Sequence, residues 1–284
     1  MVARKKKAPT RLDKIKLWLN PFIAWPMRHL NRLVYFLGWM FLSVIILITG
    51  GLWLFFSNLP DVEQMSFSQL RQQAETRLEK KLEKSKNKHH WVELKYVNRD
   101  LLYAVVMAED ARFYEHQGID YNALLDAMVA NIKQGETRFG GSTLSQQMVK
   151  NLFLNQTQSY FRKLQEAVIT RDLERHFSKN EIIELYLNMA EFGPDLYGVR
   201  DAARYYFDKK PADINAAEGA WLALMLPSPR RYHYTLYQNR NVTPSLKRKY
   251  QRILQGMRQS NYISSVQYRR YLRMIDKKSW PAKS

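Results

Sequence analysis

The sequence predicts a mainly α protein carried behind a single N-terminal transmembrane helix. Leu33 to Phe56 contains no charged residue. Beyond it, apolar residues recur at helical spacing, and residues of the capping-box type stand at several helix starts. No alternating strand pattern or hairpin signal persists anywhere. A length of 284 residues accommodates one sizeable domain and a tether, not two large domains.

Residues 1–32 form a basic arm, with Arg4, Lys5, Lys6, Lys7, Arg11, Lys14, Lys16, Arg28 and Arg32 against a lone Asp13. The uncharged run 33–56 follows and, at about 1.5 Å per residue, is long enough for a hydrocarbon core of about 30 Å. It exceeds the apolar core of a signal peptide. With the basic arm before it and Asp61 and Glu63 after it, the positive-inside rule places the N-terminus in the cytoplasm and the rest of the chain outside it. Residues 57–90 are polar and charged and read as a stalk or linker, an exposed helix that becomes a basic tail. Ser85-Lys86-Asn87-Lys88 fits the Ser-x-x-Lys pattern of penicillin-binding acyl enzymes, yet no Lys-Thr-Gly accompanies it, so the match is chance. A globular helical domain is expected over 91–235. The basic, Tyr-rich segment 236–284 completes or flanks it.

A net charge of +19 and a pI near 9.9 call for a polyanionic partner: nucleic acid, an anionic membrane surface or a phosphorylated substrate. No nucleic-acid reading module is recognisable, so nucleic acid is not expected. The absence of cysteine excludes disulfides, thiolate catalysis and zinc–thiolate sites. The histidines show no metal-binding spacing.

Chemistry concentrates between Glu109 and Glu166. Leu101, Val105 and Glu109 stack on one helix face, so the carboxylate continues an apolar stripe. Such a partly desolvated carboxyl suits proton transfer, although an ion pair with Arg112 is the plainer account. Gly140 and Gly141 feed a helix opened by the Thr143/Gln146 capping box. On that helix Gln146, Gln147, Lys150 and Asn151 share a face, which reads as a sugar-plus-anion surface or as a solvated face. Arg162, Lys163 and Glu166 lie together on a further helix. They form either an ordinary helical ion pair or a diphosphate site whose carboxylate orients the cations or holds a divalent metal. The stripe Tyr121, Leu124, Leu125, Met128 and Val129 is either core or a surface dipping into the membrane.

Together EDARFYEHQG, GGSTLSQQMVKN and RKLQE resemble the first three motifs of the peptidoglycan glycosyltransferases, family 51, which polymerise lipid II. Downstream, SKNEIIELYLNMAEFG, YGVRDAARYYF and AAEGAWLALMLPSP are similar to that family's later motifs, so the resemblance runs from Trp91 to Tyr232. It implies a lysozyme-like glycosyltransferase domain without a transpeptidase, in the bacterial inner membrane with its catalytic domain periplasmic. Glu109 and Glu166 are the implied catalytic residues, Glu109 as the base that deprotonates the acceptor hydroxyl. Ser142, Gln146, Gln147, Lys150, Asn151, Arg162 and Lys163 are the implied substrate-binding residues, and Glu166 is the candidate ligand for Mg²⁺ or Mn²⁺. The implied partners are lipid II, the growing glycan strand, membrane lipid and a cell-wall synthesis or division complex. Two positions depart from the family pattern: Gln158 replaces a common basic residue, and Asp208 replaces a usual turn glycine. A lysozyme-like glycan-cleaving enzyme and a non-catalytic membrane-anchored scaffold are the rival readings.

Overall fold

The computed structural model describes residues 10–57, 59–134, 141–154 and 159–277. Arg138, Gly140 and Gln158 of the sequence reading lie outside the described residues. The chain divides into two units, Met1–Leu59 and Pro60–Ser284.

The first unit carries one helix, α1 (Arg11–Ser57), which is continuous through the later part of the basic arm and the whole uncharged run. Among the described residues it is the one helix long and apolar enough to cross a membrane, and the side chains of that run, Phe36, Leu47 and Trp53 among them, are exposed apart from Phe55.

In the second unit α2 (Phe67–Leu82) opens at a Ser66/Gln69 capping box. It is no stalk. Leu70, Ala74, Leu78 and Leu82 recur every fourth residue, are buried, and pack α2 against α5 (Leu144–Phe153) and α7 (Lys179–Met189). The expected linker over 57–90 is thus corrected: a thin apolar stripe, outnumbered by charge, belongs to the domain core.

The centre of that core is the pair α3 (Arg99–Glu109) and α9 (Ala216–Met225), every residue of α9 being buried. Gly219 lets the two backbones approach, because a Cβ there would stand 2.9 Å from Leu101 Cα and 3.1 Å from Ala104 Cβ. Helix α11 (Pro244–Gln259) lays Leu246, Tyr250, Ile253, Leu254 and Met257 against both α3 and α9. Helix α12 (Ser265–Leu272) packs on α11, and Tyr250 donates to the carbonyl of Tyr271. The described part of this segment, 236–277, therefore packs as part of the domain. Helix α6 (Tyr160–His176) packs on α5, and α4 (Tyr121–Gln134) precedes the glycine loop.

Strands do occur, contrary to expectation, as the antiparallel pair β1 (Glu191–Gly193) and β2 (Leu196–Tyr197). They are too short for a period of two to register in sequence. Asp195 turns the pair with φ +53°, and Arg230, on the short helix α10 (Pro229–Tyr232), binds both Glu191 and Asp195. Helix α8 (Val199–Phe207) ends on Asp208 in the left-handed region, φ +55°. Asp tolerates this conformation better than most residues, and Arg204 pairs with it at 2.8 Å.

Leu78→Ala tests whether α2 is core. Cavity formation at a fully buried leucine lowers unfolding free energy by about 2–5 kcal/mol in denaturant melts. A stalk residue would change it by less than about 0.5 kcal/mol.

Candidate active site

Glu109 is the last residue of α3, and the helix stops there because Asp110 leaves helical geometry at φ −160°, ψ 75°. The Asp110 carboxylate then braces its surroundings. It accepts from the backbone N–H of Leu144, the first residue of α5, at 3.0 Å, and from His116 Nε2 at 3.0 Å. An acceptor at a helix N-terminus satisfies a free N–H and complements the positive end of the dipole. Thr143 adds a hydrogen bond to the carbonyl of Gly118 at 2.6 Å.

The Glu109 side chain is mostly covered and has two donors. Gln147 Nε2 reaches Oε2 at 3.2 Å and Lys249 Nζ reaches Oε1 at 3.2 Å. Tyr186 donates toward Gln147 Oε1 at 3.5 Å, and burial, with Glu109 and Asp110 nearby, pushes its hydroxyl pKa well above the ordinary tyrosine value. Arg112, the sequence-expected partner of Glu109, instead binds Asp120 through two nitrogens at 2.9 and 2.8 Å. Burial alone would raise the Asp120 pKa, but the Ala123 N–H and the Arg112 guanidinium outweigh it and hold the carboxyl below its ordinary value.

The second carboxylate is Glu166, on α6. It is 2 % exposed, with Oε2 accepting from Arg162 Nη1 at 3.0 Å and Oε1 from Lys163 Nζ. Lys163 Nζ also donates to Ser142 Oγ at 3.0 Å. Ser142 and Gly141, with Glu109, Asp110 and Arg112, line one cavity of about 190 Å³. Glu109 therefore opens onto the same cleft as the serine that leads to Lys163 and Glu166.

The expected amide face of α5 divides. Gln146 is buried and its side-chain oxygen accepts from the Thr143 N–H, so it serves the capping box. Gln147 turns to Glu109, while Lys150 and Asn151, a turn further on, are half-buried, and Lys150 lies close enough to Lys81 to help lower its pKa after burial and Arg77. Sequence reasoning missed Lys249, which stands 140 positions from Glu109 and carries no local signal beyond a basic run. It also missed the gathering of Asp110, His116 and Asp120, whose ligand-type atoms lie within 4.8 Å of one another. Each of these carboxylates is already engaged by protein donors, so the trio acts as a brace. Each Glu166 oxygen already accepts from a cation, so a divalent ion there would have to share the carboxylate with Arg162 and Lys163.

The Transglycosylase family pattern matches residues 75–258 of this chain. The chain is similar to proteins named biosynthetic peptidoglycan transglycosylase. That of Methylobacillus flagellatus is 47% identical over 145 residues, covering 51% of this chain and 63% of the relative. That of Azoarcus sp. is 43% identical over 170 residues, covering 60% and 72%, and that of Herminiimonas arsenicoxydans is 38% identical over 232 residues, covering 78% and 97%. The matched segment contains α3, α5, α6, α9 and most of α11, and with them Glu109, Glu166 and Lys249. This chain belongs to the transglycosylase family.

Proposed function

We propose that this protein polymerises lipid II into peptidoglycan glycan strands, transferring the lipid-linked strand with inversion onto the GlcNAc 4-hydroxyl and releasing polyprenyl diphosphate. The observation that carries the reading is the single cleft onto which Glu109 and Ser142 open, with Ser142 bonded to Lys163 and Lys163 to Glu166. A base and a cation pair then serve the two ends of one displacement.

Glu109 takes the acceptor hydroxyl proton as the oxygen attacks the anomeric carbon. Gln147 and Lys249 aim its carboxylate. Diphosphate is a good leaving group, so the reaction needs charge stabilisation more than the general acid of a glycosidase. Arg162 and Lys163 supply it, and the buried Glu166 holds both side chains in place. Ser142 orients Lys163, while Lys150 and Asn151 extend the substrate surface along the side of α5 that carries Gln147.

Helix α1 anchors the enzyme in the bacterial inner membrane, with the basic arm cytoplasmic and the domain periplasmic. The stripe on α4 supports a membrane-facing surface: Tyr121, Leu124, Leu125, Met128, Val129 and Ile132 are each 47–76% exposed. The small Ala123 and Ala127 take the inner side of that helix.

Lengthening glycan from lipid II and the purified full chain supports this reading. Shortening of preformed glycan overturns it in favour of cleavage. Glu109→Gln lowers polymerisation by at least about a hundredfold, since the amide keeps the shape but takes no proton. Lys249→Met frees one carboxylate oxygen and lowers turnover about tenfold or more, the value of one charge-assisted hydrogen bond; unchanged turnover removes Lys249 from the machinery. Arg162→Met leaves the buried Glu166 with a single cation and costs about 3 kcal/mol of stability in chemical melts. Adding Glu166→Gln recovers part of that loss, whereas strict additivity would show the pair is not coupled.

A further inference from the structure

We propose that a groove between the loop at 116–121 and α6 binds the headgroup of one anionic phospholipid, whose acyl chains lie along the outward face of α4. The site is separate from the catalytic cleft, and the proposal goes beyond the glycan chemistry without depending on it.

The groove is a cavity of about 810 Å³. Arg171 and Arg175, one helical turn apart on α6, line it and are exposed, and neither forms a salt bridge among the described residues. The other charge-bearing side chains on its wall are already committed. Glu174 binds Lys179 at 2.8 Å and accepts from Ser145, and His116 is bonded to Asp110. The net charge available to a ligand there comes from two guanidiniums, which match the planar, bidentate recognition of a phosphate.

Arg175 is in the last turn of α6, where the dipole favours a cation and disfavours an anion. Helical side chains lean toward the N-terminus, so Arg171 is carried back over Ala167 and Val168, which also line the groove, and Arg175 is carried back toward Arg171. The phosphate position is thereby displaced from the negative end of the helix.

A free phosphate would need only the arginines. The rim argues for a lipid. Tyr121 lies both on the groove wall and at the head of the exposed α4 stripe, so the charged site runs directly into Leu125, Met128 and Ile132. On α6, Leu164 and Phe161 continue the apolar surface past Val168. A cationic site beside a long apolar track, in a protein with a helix long and apolar enough to cross a membrane, is the complement of an anionic phospholipid and of no soluble anion.

The test uses the full chain in neutral detergent, titrated with dioctanoyl phosphatidylglycerol or dioctanoyl phosphatidylcholine, with bound lipid counted by native mass spectrometry. The wild type is expected to retain the anionic lipid preferentially, and Arg171→Gln with Arg175→Gln to reduce that preference about thirtyfold, the product of two headgroup contacts. Arg269→Gln with Arg270→Gln on α12 is the charge-matched control and should leave the preference unchanged, with thermal melting confirming that both variants fold. Equal retention of the two lipids by the wild type overturns the proposal. So does an equal loss in the control variant, which would assign binding to overall charge. Displacement of the lipid by an equal concentration of glycerol 3-phosphate also overturns it, by showing a site for soluble phosphate.

Discussion

One buried carboxylate, Asp110, joins the two halves of the site. It lies at the point where α3 ends and accepts from the first N–H of α5, so the residue before it, Glu109, and the loop feeding α5 are fixed relative to each other. Without that acceptor the N-terminus of α5 would bury a free N–H, at a cost of about 1–3 kcal/mol. His116 closes on the same carboxylate, and Gly118, at φ +90°, packs so tightly on Thr170 that a Cβ would stand 2.9 Å from its Cγ2. The loop from Asp110 to Gly118 is therefore tied at once to α5 and to α6, the helix that carries Glu166.

Local chemistry made much of this legible in the sequence. The Thr143/Gln146 capping box is formed as read, a second one at Ser178/Glu181 opens α7, and Arg162, Lys163 and Glu166 do share a face. What escaped the reading depends on distance along the chain or on competition between patterns. Lys249 meets Glu109 only because α11 packs on α3, and nothing near either residue encodes that meeting. Arg112 stands three residues from Glu109 but is taken by Asp120, a choice settled by where the 111–120 loop turns. Helix α2 was misread because an apolar residue every fourth position is a weak signal inside a sequence rich in Lys, Arg, Glu and Gln.

The α4 stripe inverts the usual meaning of amphipathicity. Periodicity announces a helix with one apolar face but not which way that face points. Here Ala123 and Ala127 are turned inward and larger apolar side chains outward, a pattern that costs solubility unless something apolar covers it. Helix α1 is long and apolar enough to cross a membrane, and under the proposed membrane-bound function the bilayer is the apolar partner that would cover the stripe.

The two carboxylates differ in their surroundings, in a way that matches the roles proposed for them. Glu166 is sealed, with a cation on each oxygen; protonating it would leave Arg162 and Lys163 facing each other without the anion between them. It can hold position, and it is poorly placed to exchange a proton in a catalytic cycle. Glu109 has a neutral amide on one oxygen and a lysine on the other, and it borders an open cleft. A proton arriving on the amide side leaves only one cation, on a flexible and partly solvated side chain, to be accommodated. Chemical identity is the same at both positions. Their different surroundings suit one to the part of a structural anion and the other to the part of the base in the proposed reaction.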